Sequence, residues 1–254
     1  MKKLSTFLLL NLLIVAAFAQ NKIDAKTIID KLNKGEAVSY QNAEITGDLD
    51  FTHLQNMQIE KGSKNNDDDD YKTYRSEVKS SIRFVNCRFT GPVLAYYSEQ
   101  DKATYNADFK DDVIFENCVF EKESAFKYSQ FEKNASFKQS KFNKEALFKY
   151  SKFATGPDFK NTTFEDAANF KYAKFPKGVT FEGATFKEEA VFKYADFSDG
   201  VRFTKTTFKG FSDFKYTKFS EPLELSDVSF SGDEDFKYAK VDGKNFSSYL
   251  LKNK

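Results

Sequence analysis

The sequence predicts an all-β fold, a solenoid wound from short stacked strands, and three observations carry the prediction. From Phe115 onward Phe recurs at alternating spacings of five and six residues, and 22 of the 24 slots up to position 241 hold it, with Leu225 and Val241 in the others. Two residues before most slots stands a small or β-branched residue: Ser124, Ser129, Ala135, Ser140, Ala146, Ser151, Ala168, Ala173, Val179, Ala184, Ala190 and Ala195. In extended chain both outer residues of such a small-x-Phe triplet point to one side. A helix is excluded, because slots five apart would lie about 140° apart around its axis. Pro157, Pro176 and Pro222, with Gly156, Gly178, Gly183, Gly200 and Gly210, would break it in any case.

A longer beat of 22 residues gives the shape of the coil. Units reading FKYSQF (126–131), FKYSKF (148–153), FKYAKF (170–175), FKYADF (192–197), FKYTKF (214–219) and FKYAKV (236–241) alternate with FENCVF (115–120), FKQSKF (137–142), FKNTTF (159–164), FEGATF (181–186), FTKTTF (203–208) and LSDVSF (225–230). Two alternating units make a coil with four short sides. Coils stacked about 4.8 Å apart by parallel pairing put equivalent slots above one another, so four Phe per coil fill the axis as aromatic columns. The expected rod is on the order of 40 Å long.

The small-x-Phe-x-x frame resembles the pentapeptide-repeat family, and Ala107-Asp108-Phe109 and Ala195-Asp196-Phe197 match its unit closely. The chain departs from the pattern by a sixth residue in every second unit, as the Phe-rich branch of that family does. The resemblance is strong over about 107–241, weak over 43–95, and implies a right-handed quadrilateral β-helix.

Residues 1–19 read as a secretory signal peptide: Lys2 and Lys3 open it, an apolar core runs from Phe7 to Phe18, and Ala17-Phe18-Ala19 precedes the cleavage point. The apolar stretch is too short to span a bilayer, so the mature chain is expected to carry no membrane span and to be secreted or periplasmic. Residues 20–40 are expected to form a helical cap, with Asp24 capping a helix whose Ala25, Ile28, Ile29 and Leu32 share a face. The solenoid is assigned to 41–241, with irregular insertions near 52–81, which hold Asp67 to Asp70, and near 97–108. Residues 242–254 form the second cap, where Phe246, Tyr249 and Leu250 supply a short apolar face. Both ends are expected to be closed, because open coil edges would pair with other chains.

Composition narrows the function. Thirty-nine basic residues stand against 38 acidic ones, and loss of Lys2 and Lys3 with the signal leaves the mature chain at −1. That balance argues against a nucleic-acid binder. It also argues, with the signal peptide, against the DNA mimicry toward gyrase that the family resemblance brings to mind. One His (His53) and two Cys provide no metal-ligand set. No catalytic residue or cofactor site stands out, and the chain is expected not to be an enzyme.

The most regular exposed feature is a stripe of Lys127, Lys149, Lys171, Lys193, Lys215 and Lys237 beside Tyr128, Tyr150, Tyr172, Tyr194, Tyr216 and Tyr238, with Tyr97 as its expected extension. Following an inward Phe, these pairs belong outside, near one corner of the coil. The stripe either stacks its rings to hold that corner or binds an acidic glycan or an envelope protein. Cys87 and Cys118 fill the same small inward slot one coil apart, so a disulfide and ordinary apolar packing are both open. Thr162-Thr163 and Thr206-Thr207 raise the question of ice binding, but Ala184-Thr185 and Val228-Ser229 interrupt the column. The expected function is an exported binding or structural element of the cell envelope. The alternative is a β-helix that binds or cleaves acidic polysaccharide, its chemistry confined to the two irregular segments.

Overall fold

The structure, a computed structural model, describes residues 21–60, 72–99 and 102–252, with the side chains of 250–252 excepted. Residues 1–19, expected to be a signal peptide, and Asp67 to Asp70 lie outside the described residues, as does the side chain of Leu250.

Each 22-residue turn of chain makes four short sides of a square, most of them two-residue strands, with Asp158 contributing a single bridge. The first side of the coil starting at Lys127 is Gln130–Phe131, followed by Ala135–Ser136, Lys141–Phe142 and Ala146–Leu147. Every strand pairs in parallel with its equivalent one coil away, Phe131 with Phe153 and Phe142 with Phe164 for example, so a quadrilateral β-helix results. Strands this short follow from the repeat itself. Two corners of each coil hold a residue in the left-handed region, two positions after a Phe. One row runs Tyr128, Tyr150, Tyr172, Tyr194, Tyr216 and Tyr238, with φ between 60° and 63°. The other includes Asn117, Gln139, Asn161, Gly183, Lys205 and Asp227. A turn bond closes each corner, as from Ser129 N–H to the Phe126 carbonyl at 3.2 Å and from Thr162 N–H to that of Phe159 at 3.2 Å. Left-handed φ at the third position of a four-residue turn defines type II geometry.

The core is the expected pillar of rings. Phe170 is fully buried and stacks on Phe148 at 5.0 Å and on Phe192 at 5.1 Å, with planes within 2°. The adjacent column meets it edge-on, Phe159 and Phe181 each at 5.4 Å and near 85°. Parallel stacks within a column and T-shaped contacts between columns are both favourable arrangements for the ring quadrupole. Small residues fill the space beside the rings, and several of their hydroxyls bond to corner carbonyls: Ser140 donates to the Phe115 carbonyl at 2.9 Å, Thr162 to that of Phe137 at 2.8 Å, and Ser151 to that of Phe126 at 2.7 Å, whereas the buried hydroxyls of Ser124, Ser129 and Ser212 have no partner.

The amino-terminal segment is more than a helical cap. Asp24 caps the helix Ala25–Asn33 by accepting from Lys26 N–H, and Ala25, Ile28 and Leu32 are buried. The flanking strands Lys22–Asp24 and Val38–Gln41 already belong to the solenoid, pairing with Glu44–Thr46 and Ile82–Val85.

The two irregular segments, separate in sequence, are one structure. Strand Lys72–Val78 pairs in parallel with Ala103–Phe109 over seven residues, and Gln58–Ile59 and Tyr96–Glu99 join its two sides by antiparallel pairing. Together they extend one face of the solenoid into a four-stranded wing.

The carboxyl-terminal end carries a short helix, as expected. Phe246, at the start of the helix Phe246–Lys252, stacks on Phe236 at 4.3 Å, and Lys244–Asn245 covers the edge of Lys240–Val241. Phe230 is 37% exposed, and Leu225 and Val228 are half-buried.

Candidate functional site

The side chains of the left-handed tyrosine row form a continuous ladder. Centroid separations from Tyr128 to Tyr238 run 5.0, 4.7, 4.7, 4.7 and 4.8 Å, and the three middle pairs are within 2° of parallel. The spacing is the coil rise itself. A bulky residue at positive φ is uncommon and costs about 1–2 kcal/mol. Six in a row persist here because each internal ring gains two stacking neighbours.

The lysine of each corner folds onto its own tyrosine. Nζ lies 4.9 Å from the ring centroid for Lys127, 5.4 Å for Lys149 and Lys171, 5.9 Å for Lys193, 5.8 Å for Lys215 and 5.1 Å for Lys237. Burial pushes the Lys149 ammonium below its ordinary value, and Lys127 and Lys171 add to the effect. Burial likewise raises the Tyr150 phenol, with Tyr128 and Tyr172 contributing. The ladder continues into the wing through Tyr96 rather than the expected Tyr97. Tyr96 sits 6.0 Å from Tyr128, and its hydroxyl is 2.9 Å from Lys127 Nζ. Alternation along Tyr96–Glu99 turns Tyr97 to the opposite side, where it meets Tyr105 at 6.0 Å.

On the other flank of the ladder lies a second row that sequence reasoning passed over: Gln130, Lys152, Lys174, Asp196, Lys218 and Lys240, the outward residues of one face. Its signal was present in the motifs, as the fifth residue of each FKYxxF unit. Between this row and the tyrosines runs a groove of about 650 Å³, with Arg75 and Glu60 of the wing at one end.

Charge is distributed unevenly around the solenoid. Around the opposite corner basic residues pair with acids across coils: Lys138 with Glu116, Lys160 with Glu182, Arg202 with Glu224, and Lys141 and Lys187 both with Glu165. At the tyrosine corner neither lysine row forms an ion pair among the described residues. Asp196, flanked in register by Lys174 and Lys218, accepts instead from Ser198 Oγ at 2.8 Å.

Cys87 and Cys118 lie one coil apart in one small-residue column, as the register Arg88 to Val119 requires, and both are free and buried. Each thiol behaves like the hydroxyls below it, Cys118 donating to the Phe84 carbonyl at 3.5 Å and Cys87 to that of Tyr40 at 3.6 Å. Burial pushes the Cys118 thiol well above its ordinary value. His53 is more than a surface residue. Its ring lies 4.8 Å from Tyr105, and Nδ1 faces Asp50 Oδ2 at 3.0 Å and Thr52 Oγ1 at 2.8 Å. Thr163, Thr185, Thr207 and Ser229 form one uninterrupted outward column, the interruption read from sequence falling on the inward neighbours. Among the described residues no group of three or more His, Cys, Asp or Glu is placed to hold a metal ion.

A square β-helix with an aromatic core defines a repeat-solenoid protein whose variable chemistry lies on its flanks. A family model described as pentapeptide repeats (9 copies) matches residues 126–174, 148–196 and 170–218, so these coils are similar to pentapeptide repeats. No curated protein and no solved structure matches it.

Proposed function

We propose that the chain is an exported, non-enzymatic solenoid serving as a binding or structural element of the cell envelope, and that its tyrosine corner is the surface that engages an acidic partner. The observation that carries the reading is the segregation of charge. Around the opposite corner Lys138, Lys141, Lys160, Lys187 and Arg202 pair with cross-coil acids, whereas the two lysine rows flanking the tyrosine ladder form no ion pair among the described residues. Like charges stacked about 4.8 Å apart repel, by roughly 1 kcal/mol or less per pair in water. An acidic glycan or an acidic envelope protein relieves that repulsion on binding. Export rests on the signal-peptide pattern of residues 1–19.

Cleavage of polysaccharide is the weaker reading. The wing does gather Glu60, Arg75, Asp108 and His53, but Arg75 bonds both Glu60 and Asp108, and His53 bonds Asp50. Among the described residues these charges are spent on one another rather than left as a free acid-base pair.

Capture from envelope extract, together with an acidic-glycan array read at low and high salt, tests the proposal. Salt-sensitive retention of an acidic partner is expected. Silence in both assays refutes the binding reading, and release of reducing ends or unsaturated sugars refutes the non-enzymatic one.

A further inference from the structure

The groove beside the tyrosine ladder points to the place and mode of contact, an inference that rests on the reading above. We infer that a linear acidic polysaccharide lies along this groove, parallel to the solenoid axis, with its acid groups on Lys152, Lys174 and Lys218 and its hydroxyls along the phenol edges of the ladder.

Three features select this flank over the lysine stripe evident in the sequence. The stripe lysines from Lys127 to Lys215 are half-buried and engaged with their own rings, whereas Lys152, Lys174 and Lys218 are exposed. An ammonium over a ring is already partly compensated by the ring quadrupole; an exposed ammonium with no acid partner is not. The second feature is shape. The groove has a wall, Tyr128, Tyr150, Tyr172, Tyr194 and Tyr216, and a floor, the outward row from Gln130 to Lys218. At its wing end stand Arg75 and Glu60, paired with one another, so it runs along the axis and stops at one end.

The third feature decides the class of ligand. In the ladder each internal tyrosine has both faces covered by its neighbours at 4.7–5.0 Å. Single-stranded nucleic acid is held by bases stacking on open aromatic faces, and sugar rings that stack need the same surface. Neither platform exists here. What the ladder offers the groove is a file of ring edges and hydroxyls, one per coil, able to exchange hydrogen bonds with a polyhydroxyl chain. Acid groups on that chain then meet the ammonium row opposite.

The test compares two triple variants of the full mature chain, with polygalacturonate as the probe and a homopolymeric single-stranded DNA as the competing class. Lys152→Gln/Lys174→Gln/Lys218→Gln empties the groove floor, and Lys149→Gln/Lys171→Gln/Lys193→Gln removes the same charge from the ring-bound stripe. Circular dichroism confirms that each variant is folded. The first is expected to lower affinity by about tenfold at low salt and the second by about twofold, the latter through loss of longer-range attraction alone. The salt dependence of the first should also flatten, because fewer counter-ions are released on binding. Equal losses, or a larger loss from the stripe variant, overturn the groove assignment while leaving an acidic-partner surface intact. Tighter binding of the DNA than of the glycan overturns the ligand class. Failure of the wild-type chain to bind any acidic polymer at low salt overturns this inference and the reading beneath it.

Discussion

The ring of Tyr172 lies parallel to that of Tyr150 within 1°, their centroids 4.7 Å apart, while both backbones hold φ near +60°. Asn at such a corner avoids most of the backbone cost, as Asn117 and Asn161 do on the opposite row. The rings therefore stabilise a backbone conformation that tyrosine alone disfavours, and the two effects can be separated by position. Tyr172→Asn gives up two stacking contacts, each about 0.5–1.5 kcal/mol, and recovers about 1 kcal/mol of backbone strain. A net loss of about 1 kcal/mol in urea unfolding is expected. Tyr238 has one stacked neighbour and is 51% exposed, so Tyr238→Asn should change stability by less than about 0.5 kcal/mol. A stabilising Tyr172→Asn would show that stacking does not hold the corner.

Phe170 sits inside the pillar with stacked rings on both sides and edge contacts to Phe159, Phe164 and Phe181. Neighbouring coils are tied together by the strand ladder, so the hole left by Phe170→Ala cannot collapse. A loss of about 3–5 kcal/mol follows, read from the denaturant midpoint. A loss under about 1 kcal/mol would be incompatible with the packing described.

How much of this was legible in the sequence depended on periodicity. Phe126, Phe148 and Phe170 announced their columns because a repeat of constant length admits one stacking register. The stripe from Lys127 to Lys237 was visible for the same reason. The wing was not, because Lys72–Val78 finds Ala103–Phe109 across an interval where the beat is lost and local pattern cannot choose a partner. The repeat points to Tyr97 as the end of the ladder, but its role depends on an antiparallel pairing with Tyr105, which puts Tyr96 on the ladder side. Lys152, Lys174 and Lys218 recur at the same period as the stripe. What the sequence lacked was the ion-pair map that leaves them without counter-ions while Lys138, Lys160 and Arg202 are paired.

Cys118 occupies a slot that Ser140, Thr162 and Thr206 fill below it, all donating to a Phe carbonyl one coil up. A thiol in that role, raised by burial, presents little thiolate at neutral pH. Both cysteines are also buried, so they should resist alkylation in the native protein and yield two thiols per chain in denaturant without reductant. Recovery of the thiols only after reduction would demonstrate a Cys87–Cys118 bridge. Cys118→Ser keeps the donor and should cost less than Cys118→Val, which leaves the Phe84 carbonyl without its donor at about 1–3 kcal/mol.

Asp108 marks the junction of wing and solenoid, 2% exposed, where Arg75 Nη1 at 2.7 Å and Gln130 N–H at 2.9 Å both donate to its Oδ1. Burial pushes its carboxyl above the ordinary 3.8, and Arg75 opposes that shift without cancelling it. The folded chain thus holds this proton more tightly than the unfolded chain. Wherever the native state binds more protons, stability falls as pH rises, so Asp108 contributes a decline through the window just above 3.8. Asp108→Asn retains an acceptor oxygen for both donors and has no proton to lose. Urea unfolding of both proteins from about pH 3.5 to pH 7 isolates the effect, because the other carboxylates are common to the two. The stability of wild type relative to Asp108→Asn should fall as pH rises through that window and level off above it. A difference that grows in favour of wild type as pH rises would mean that the Arg75 ion pair outweighs burial.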